Sequence, residues 1–184
     1  MTNPNEYQRI IHTPIKHIIR LIRAIKIKIL LCLTGFANRF TFVGKTLIMV
    51  ICVDFDGTCV THEFPRVGKD IGAVPVLREL VQRGHRLVLF TMRSDDDLGA
   101  SGEFPDHGGT YLTDAVNWFK DNGIELYGIN PNPEHTWTTS SKAYGELYID
   151  DAALGCPLRM SDISGRPYVD WVVVAEKLIS MGVL

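Results

Sequence analysis

Two aspartates one residue apart, in Asp54-Phe55-Asp56-Gly57-Thr58, carry the first reactive groups of the chain. Carboxylates so placed can hold a hard cation, pass a proton, or attack an electrophile to form a covalent intermediate. Further polar groups follow at wider spacing: Thr91 and Arg93, then Lys142, then the pair Asp150-Asp151. Each has an ordinary reading when taken singly. Thr91 is then a strand-end threonine, Lys142 a solvated lysine, and Asp150-Asp151 turn residues or a helix cap. Asp54 and Asp56 are then an acidic strand-to-loop turn.

The elements that must position these groups decide between the readings. Residues 47–53 form an unbroken, β-branched apolar run, which predicts a strand buried on both faces of a parallel sheet. Gly57 lets the chain turn sharply away from it. Residues 59–68 form a loop or short flap with His62, Glu63, Pro65 and Arg66. Ile71, Val74, Leu77, Leu80 and Val81 recur at helical spacing, closed by Gly84. Residues 87–90 predict a second buried strand, ending in Thr91-Met92-Arg93. The polar loop 94–109 follows, its aspartates 95–97 read as solvated. Residues 111–122 predict a helix with Leu112, Ala115, Val116 and Phe119 on one face and Gly123 as its stop. Residues 124–129 predict a third strand, 130–141 a Pro/Asn/Thr-rich loop, 147–149 a fourth strand, and 172–184 a closing helix. Alternating strands and helices predict an α/β fold, a parallel sheet with right-handed crossovers and helices on both faces. In such sheets ligands bind beyond the carboxyl ends of the strands, where Asp54, Thr91 and Asp150 stand.

The order of these groups resembles the four-motif signature of the haloacid-dehalogenase-like (HAD) superfamily of phosphatases, over residues 47–184. The motifs are Asp54-Phe55-Asp56-Gly57-Thr58, Thr91, Lys142 and Asp150-Asp151. The resemblance implies a Rossmann-like HAD fold and hydrolysis of a phosphate monoester through an aspartyl-phosphate. Asp54 would be the nucleophile and Asp56 the acid and base. Mg²⁺ would be held by Asp54, the Asp56 backbone carbonyl and Asp150, with Asp151 assisting. Lys142 would offset the clustered charge. Thr91 and the amides of Asp56 and Gly57 would bind phosphoryl oxygens, and Arg93 is a candidate substrate contact. Residues 59–86 and 130–141 have no room for a cap domain. The site is therefore expected to be open to a large or extended phosphorylated substrate, or covered by a neighbouring subunit of a homo-oligomer. Two alternatives stay open: a catalytically idle HAD-like binding module, and phosphoryl transfer to an acceptor other than water.

Residues 1–46 differ from the rest. The stretch before Met49 holds eight Lys/Arg and one acid, a net +7, and the remaining 136 residues carry −9. The acidic body has no long-range attraction for nucleic acid or anionic lipid. Lys16, Arg20 and Arg23 fall at i, i+4 and i+7 opposite an isoleucine-rich face. This extension reads as an amphipathic helix on a membrane, as a signal peptide, or as sequence upstream of a natural start at Met49. The four cysteines, Cys32, Cys52, Cys59 and Cys156, show no CxxC pair, which fits a reduced, cytoplasmic setting. His62, His85, His107 and His135 show no ligand spacing; His62, in the flap, merits a test.

Overall fold

The computed structural model describes residues 47–95, 109–161 and 165–184. Expectations placed on residues 1–46, on Asp96 and Asp97 and on His107 lie outside the described residues. In chain order the elements are strand β1 (Val50–Val53), helix α1 (Ala73–Gln82), strand β2 (Arg86–Leu89), helix α2 (Tyr111–Asp121), strand β3 (Gly128–Ile129), strand β4 (Leu147–Ile149), strands β5 (Leu158–Met160) and β6 (Pro167–Val169), and helix α3 (Trp171–Ser180).

β1 to β4 form one sheet in the order β3-β2-β1-β4. Every neighbouring pair in it is parallel. The β-branched run therefore occupies the centre, where a strand buried on both sides must be apolar throughout. Ile51, Cys52 and Val53 of β1 and Leu87, Val88 and Leu89 of β2 are all buried. Each such side chain contributes about 1.5–3 kcal/mol of hydrophobic free energy. Leu47 and Ile48, read as part of the strand, are exposed, and pairing begins at Val50.

The two faces are covered differently. In-register neighbours share a face, so Leu147 and Ile149 lie beside Ile51 and Val53. There α3 supplies Val174 and Leu178, lining with Leu147 and Ile149 a surface hollow of about 190 Å³. On the other face Cys52, Val88 and Ala143 make a small core with the partly buried Val50, Phe90 and Tyr127. Among the described residues no member of that cluster belongs to a helix, although the sequence predicts helices on both faces. The chain between β3 and β4 is a loop that lays Ala143 directly on the strands.

Three further differences concern local pairing. The third strand pairs only at Gly128–Ile129, not over 124–129. Residues 131 and 133 fold back so closely that a β-carbon at Gly128 would come within 2.8 Å of Pro133. The antiparallel hairpin β5–β6 has no counterpart in the sequence reading. Asp95, read as solvated, instead caps α2. Its carboxylate accepts the Leu112 and Thr113 N–H groups at 2.8 and 2.9 Å and the Thr113 hydroxyl at 2.6 Å. The closing helix starts at Trp171 under Asp170, whose Oδ1 accepts the Val172 and Val173 N–H groups. Cys52, Cys59 and Cys156 are free thiols. Among the described residues no helix is long and apolar enough to cross a membrane.

Candidate active site

The turn after β1 is built around one carbonyl. Phe55 O accepts N–H bonds from Thr58, Cys59 and Val60 at 3.2, 2.8 and 3.2 Å. Gly57 takes the left-handed conformation this turn requires, with φ of 79°. Two long-range bonds anchor the turn. The Trp171 indole N–H donates to Thr58 O at 2.6 Å, and the Val169 N–H donates to Gly57 O at 2.8 Å. Helix α3 and strand β6 thus hold the turn from behind.

Asp54, Asp150 and Asp151 meet at the carboxyl ends of the neighbouring strands β1 and β4. Each offers one oxygen, and the three oxygens lie within 4.8 Å of one another. The Asp54 N–H donates to Ile149 O at 3.0 Å, which sets the two strand ends level. Burial pushes the Asp54 carboxyl up to about 7; the charges of Asp150, Asp151 and Asp56 add to this, and the Phe55 N–H opposes it. Three partly buried carboxylates, each with an oxygen to offer, fit a hard divalent cation. Asp150 Oδ1 also accepts the Ala152 N–H at 2.8 Å, which orients it.

Two residues of the site had no role assigned from the sequence: Thr58 stood only as part of the first motif, and His62 only as a flap residue worth a test. Thr58 is fully buried between the acids. Its oxygen accepts the Asp151 N–H at 3.0 Å and lies 3.3 Å from Asp54 Oδ2. His62 reaches back from the flap, placing Nε2 3.0 Å from Asp151 Oδ2. A β-carbon at residue 57 would overlap the imidazole, so Gly57 also makes room for His62. A histidine within a few residues of an acidic Gly turn was the available clue.

The other sequence candidates are placed as follows. Thr91 stands just beyond β2, its N–H donating to Asn130 Oδ1 at 3.0 Å and its hydroxyl oxygen accepting the Arg93 N–H at 3.2 Å. Asn130 holds a left-handed backbone, φ 57°, to make that contact. Asp56 does not join the three-acid cluster; its carboxylate pairs with Arg93 through Nε–Oδ2 and Nη2–Oδ1 bonds of 2.7 Å each. Lys142 is exposed. Its backbone N–H donates to Ser140 Oγ at 3.2 Å, and among the described residues its ammonium forms no ion pair with the cluster.

No protein-family model matches the chain, and no curated protein matches it. The chain is similar to a solved structure of a conserved protein from Bacteroides thetaiotaomicron. The identity is 34%, the match covers 73% of this chain and 92% of the other, and the TM-score is 0.53. At that identity across nearly all of the Bacteroides protein, this chain belongs to the same family as that conserved protein.

Proposed function

We propose that the protein is a Mg²⁺-dependent phosphatase with a HAD-like, capless fold that cleaves a phosphate monoester through an aspartyl-phosphate. The observation that carries this reading is the meeting of Asp54, Asp150 and Asp151 at two adjacent strand ends, each with an oxygen free to converge on one cation. Magnesium bound there would neutralise charge on the phosphoryl oxygens and on the acids. The Asp54 carboxylate attacks phosphorus, forming its own P–O bond as the bond to the ester oxygen breaks. Asp56 would serve the proton transfers, giving a proton to the leaving oxygen and taking one from the water that hydrolyses the intermediate, with one of its two Arg93-bound oxygens released while it carries that proton. Thr91 keeps its hydroxyl hydrogen for a phosphoryl oxygen, since its backbone contacts use only its N–H and its oxygen. Lys142 would bring its ammonium to Asp54 and the bound phosphate when substrate is present.

A second reading, a metal-binding module without turnover, draws on the exposed Lys142: among the described residues no Lys or Arg pairs with Asp54, Asp150 or Asp151. Turnover of an aryl phosphate with and without Mg²⁺ separates the two. The phosphatase reading expects turnover that EDTA abolishes and that Asp54→Asn removes while the fold persists. Mg²⁺ binding without turnover of any ester in a broad panel would leave the second reading standing.

A further inference from the structure

We propose that Arg93 is a positioning residue that joins the Asp56 carboxylate to the flap as one mechanical unit and takes no part in holding substrate. Its consequence for turnover rests on the phosphatase reading above; its geometry does not. A guanidinium has five N–H bonds, and all five are engaged here. Nε and Nη2 donate to the two oxygens of Asp56 at 2.7 Å each. The second Nη2 hydrogen goes to Arg66 O at 2.9 Å, and Nη1 serves Pro65 O and Tyr111 O at 3.3 Å each. The side chain is 1% exposed. Its guanidinium carbon lies 4.9 Å from the ring centre of Phe55 and 5.3 Å from that of Phe64.

A phosphoryl oxygen arriving at Arg93 would have to displace one of these partners. The displaced carboxylate or carbonyl would lose its bond in a partly buried place, and the Tyr111 carbonyl in a buried one, a cost that offsets the gain. The fork geometry also fixes the plane of the Asp56 carboxylate, which a point charge would not do. Three elements converge on this single group: the turn after β1, the flap at Pro65 and Arg66, and the first residue of α2. The neck of the flap is closed separately, by Thr61 N–H to Lys69 O and Lys69 N–H to Thr61 Oγ1, each 2.9 Å. A shift of the flap tip is therefore passed through Arg93 to Asp56, and a change at Asp56 is passed to the flap. Contact between a substrate and the flap would set the orientation of Asp56 by this route.

The test uses the full chain with Arg93→Met, Arg93→Lys, Asp56→Asn and the double variant Asp56→Asn/Arg93→Met. The first readout needs no activity. Trypsin cleaves after Arg66, whose carbonyl is the one Arg93 holds, and mass spectrometry follows that cut alone. Cleavage there should be at least about tenfold faster in Arg93→Met and in Asp56→Asn than in wild type, because loosening opens the flap locally. A rate in Asp56→Asn within about twofold of wild type overturns the coupling. The second readout is turnover of an aryl phosphate with Mg²⁺. Arg93→Met should lower kcat at least about tenfold with KM within about twofold, and the double variant should be no more than about twofold slower than Asp56→Asn. A raised KM with kcat retained, or losses that multiply in the double variant, overturns it. Should Arg93→Met not fold, Arg93→Lys keeps the charge without the fork and carries both readouts in the same directions. Wild type without Mg²⁺-dependent turnover sinks only the phosphatase reading, and the trypsin cut still decides the role of Arg93.

Discussion

His62 Nε2 lies 3.0 Å from Asp151 Oδ2, with its imidazole resting where a side chain on residue 57 would have to be. A flap residue thus orients one of the three clustered acids, and Gly57 is needed for space as well as for backbone conformation. A carboxylate held from behind in this way binds a cation more tightly than a free one.

On the Mg²⁺ reading we therefore expect His62→Ala to weaken binding of the cation by about tenfold with little loss of stability. Gly57→Ala should do more, adding about 1–2 kcal/mol of left-handed backbone strain to the displaced ring. Calorimetric titration of Mg²⁺ and a thermal melt of each variant check this. Wild-type affinity in His62→Ala would remove His62 from the site.

The raised Asp54 carboxyl adds one contribution to the pH dependence of the metal-free protein. Its value in the fold is about 7, against 3.8 ordinarily. Between those values the folded chain keeps a proton that the unfolded chain has released. This contribution to stability is fully present below the unfolded pKa and is lost as pH rises through the folded one. In EDTA the melting temperature of wild type relative to Asp54→Asn should fall between about pH 4 and pH 7, the difference isolating the Asp54 contribution from the carboxyls shifted the other way. On the Mg²⁺ reading the cation would compete with the proton, so it should raise the melting temperature more at about pH 7.5 than at about pH 5. An equal Mg²⁺ effect at both would place the cation elsewhere.

Lys142 is exposed and in no ion pair among the described residues, so its removal should leave the fold untouched. On the phosphatase reading Lys142→Ala should nevertheless lower kcat/KM by about 100-fold, the scale of losing one charge-stabilising donor. Steady-state kinetics beside a thermal melt separate these effects. Unchanged kinetics would mean that the acids work without this lysine.

Asp95 supplies three hydrogen bonds to the start of α2. Those bonds hold its carboxyl below the ordinary carboxylate range, the Thr113 hydroxyl first among them. Asp95→Ala should cost about 1 kcal/mol, the usual worth of a cap. The loss should be present at neutral pH and vanish in acid, where the wild-type carboxyl is protonated as well. Denaturant unfolding at two pH values measures it, and a loss that stays constant in acid would contradict the capping role.

The candidate acids and the strands beneath them were legible because both are local signals. An unbroken apolar run such as Ile51-Cys52-Val53 reports a strand buried on two faces, and a glycine after two acids reports a turn at its end. The stops at Gly84 and Gly123 are equally local, and both residues hold left-handed backbone. Strands β5 and β6 were not legible, because each is three residues long, too short for a period to stand out. The loop in place of a helix over Cys52 and Val88 was hidden for a related reason. Ala143 packs there through position, and one small residue makes no periodic pattern.

The sequence by itself determined which carboxylates, threonine and lysine are available, and that Asp54 and Asp150 stand at strand ends, although only β1 of the two strands is buried. Only the tertiary structure decided their partners. Arg93 takes Asp56 from 37 residues away, and His62 takes Asp151 from 89 residues away. Such pairings depend on the β1–β2 and β1–β4 registers and on how the flap closes over Gly57. Those are properties of strands meeting in space, and periodicity along a single strand does not encode them.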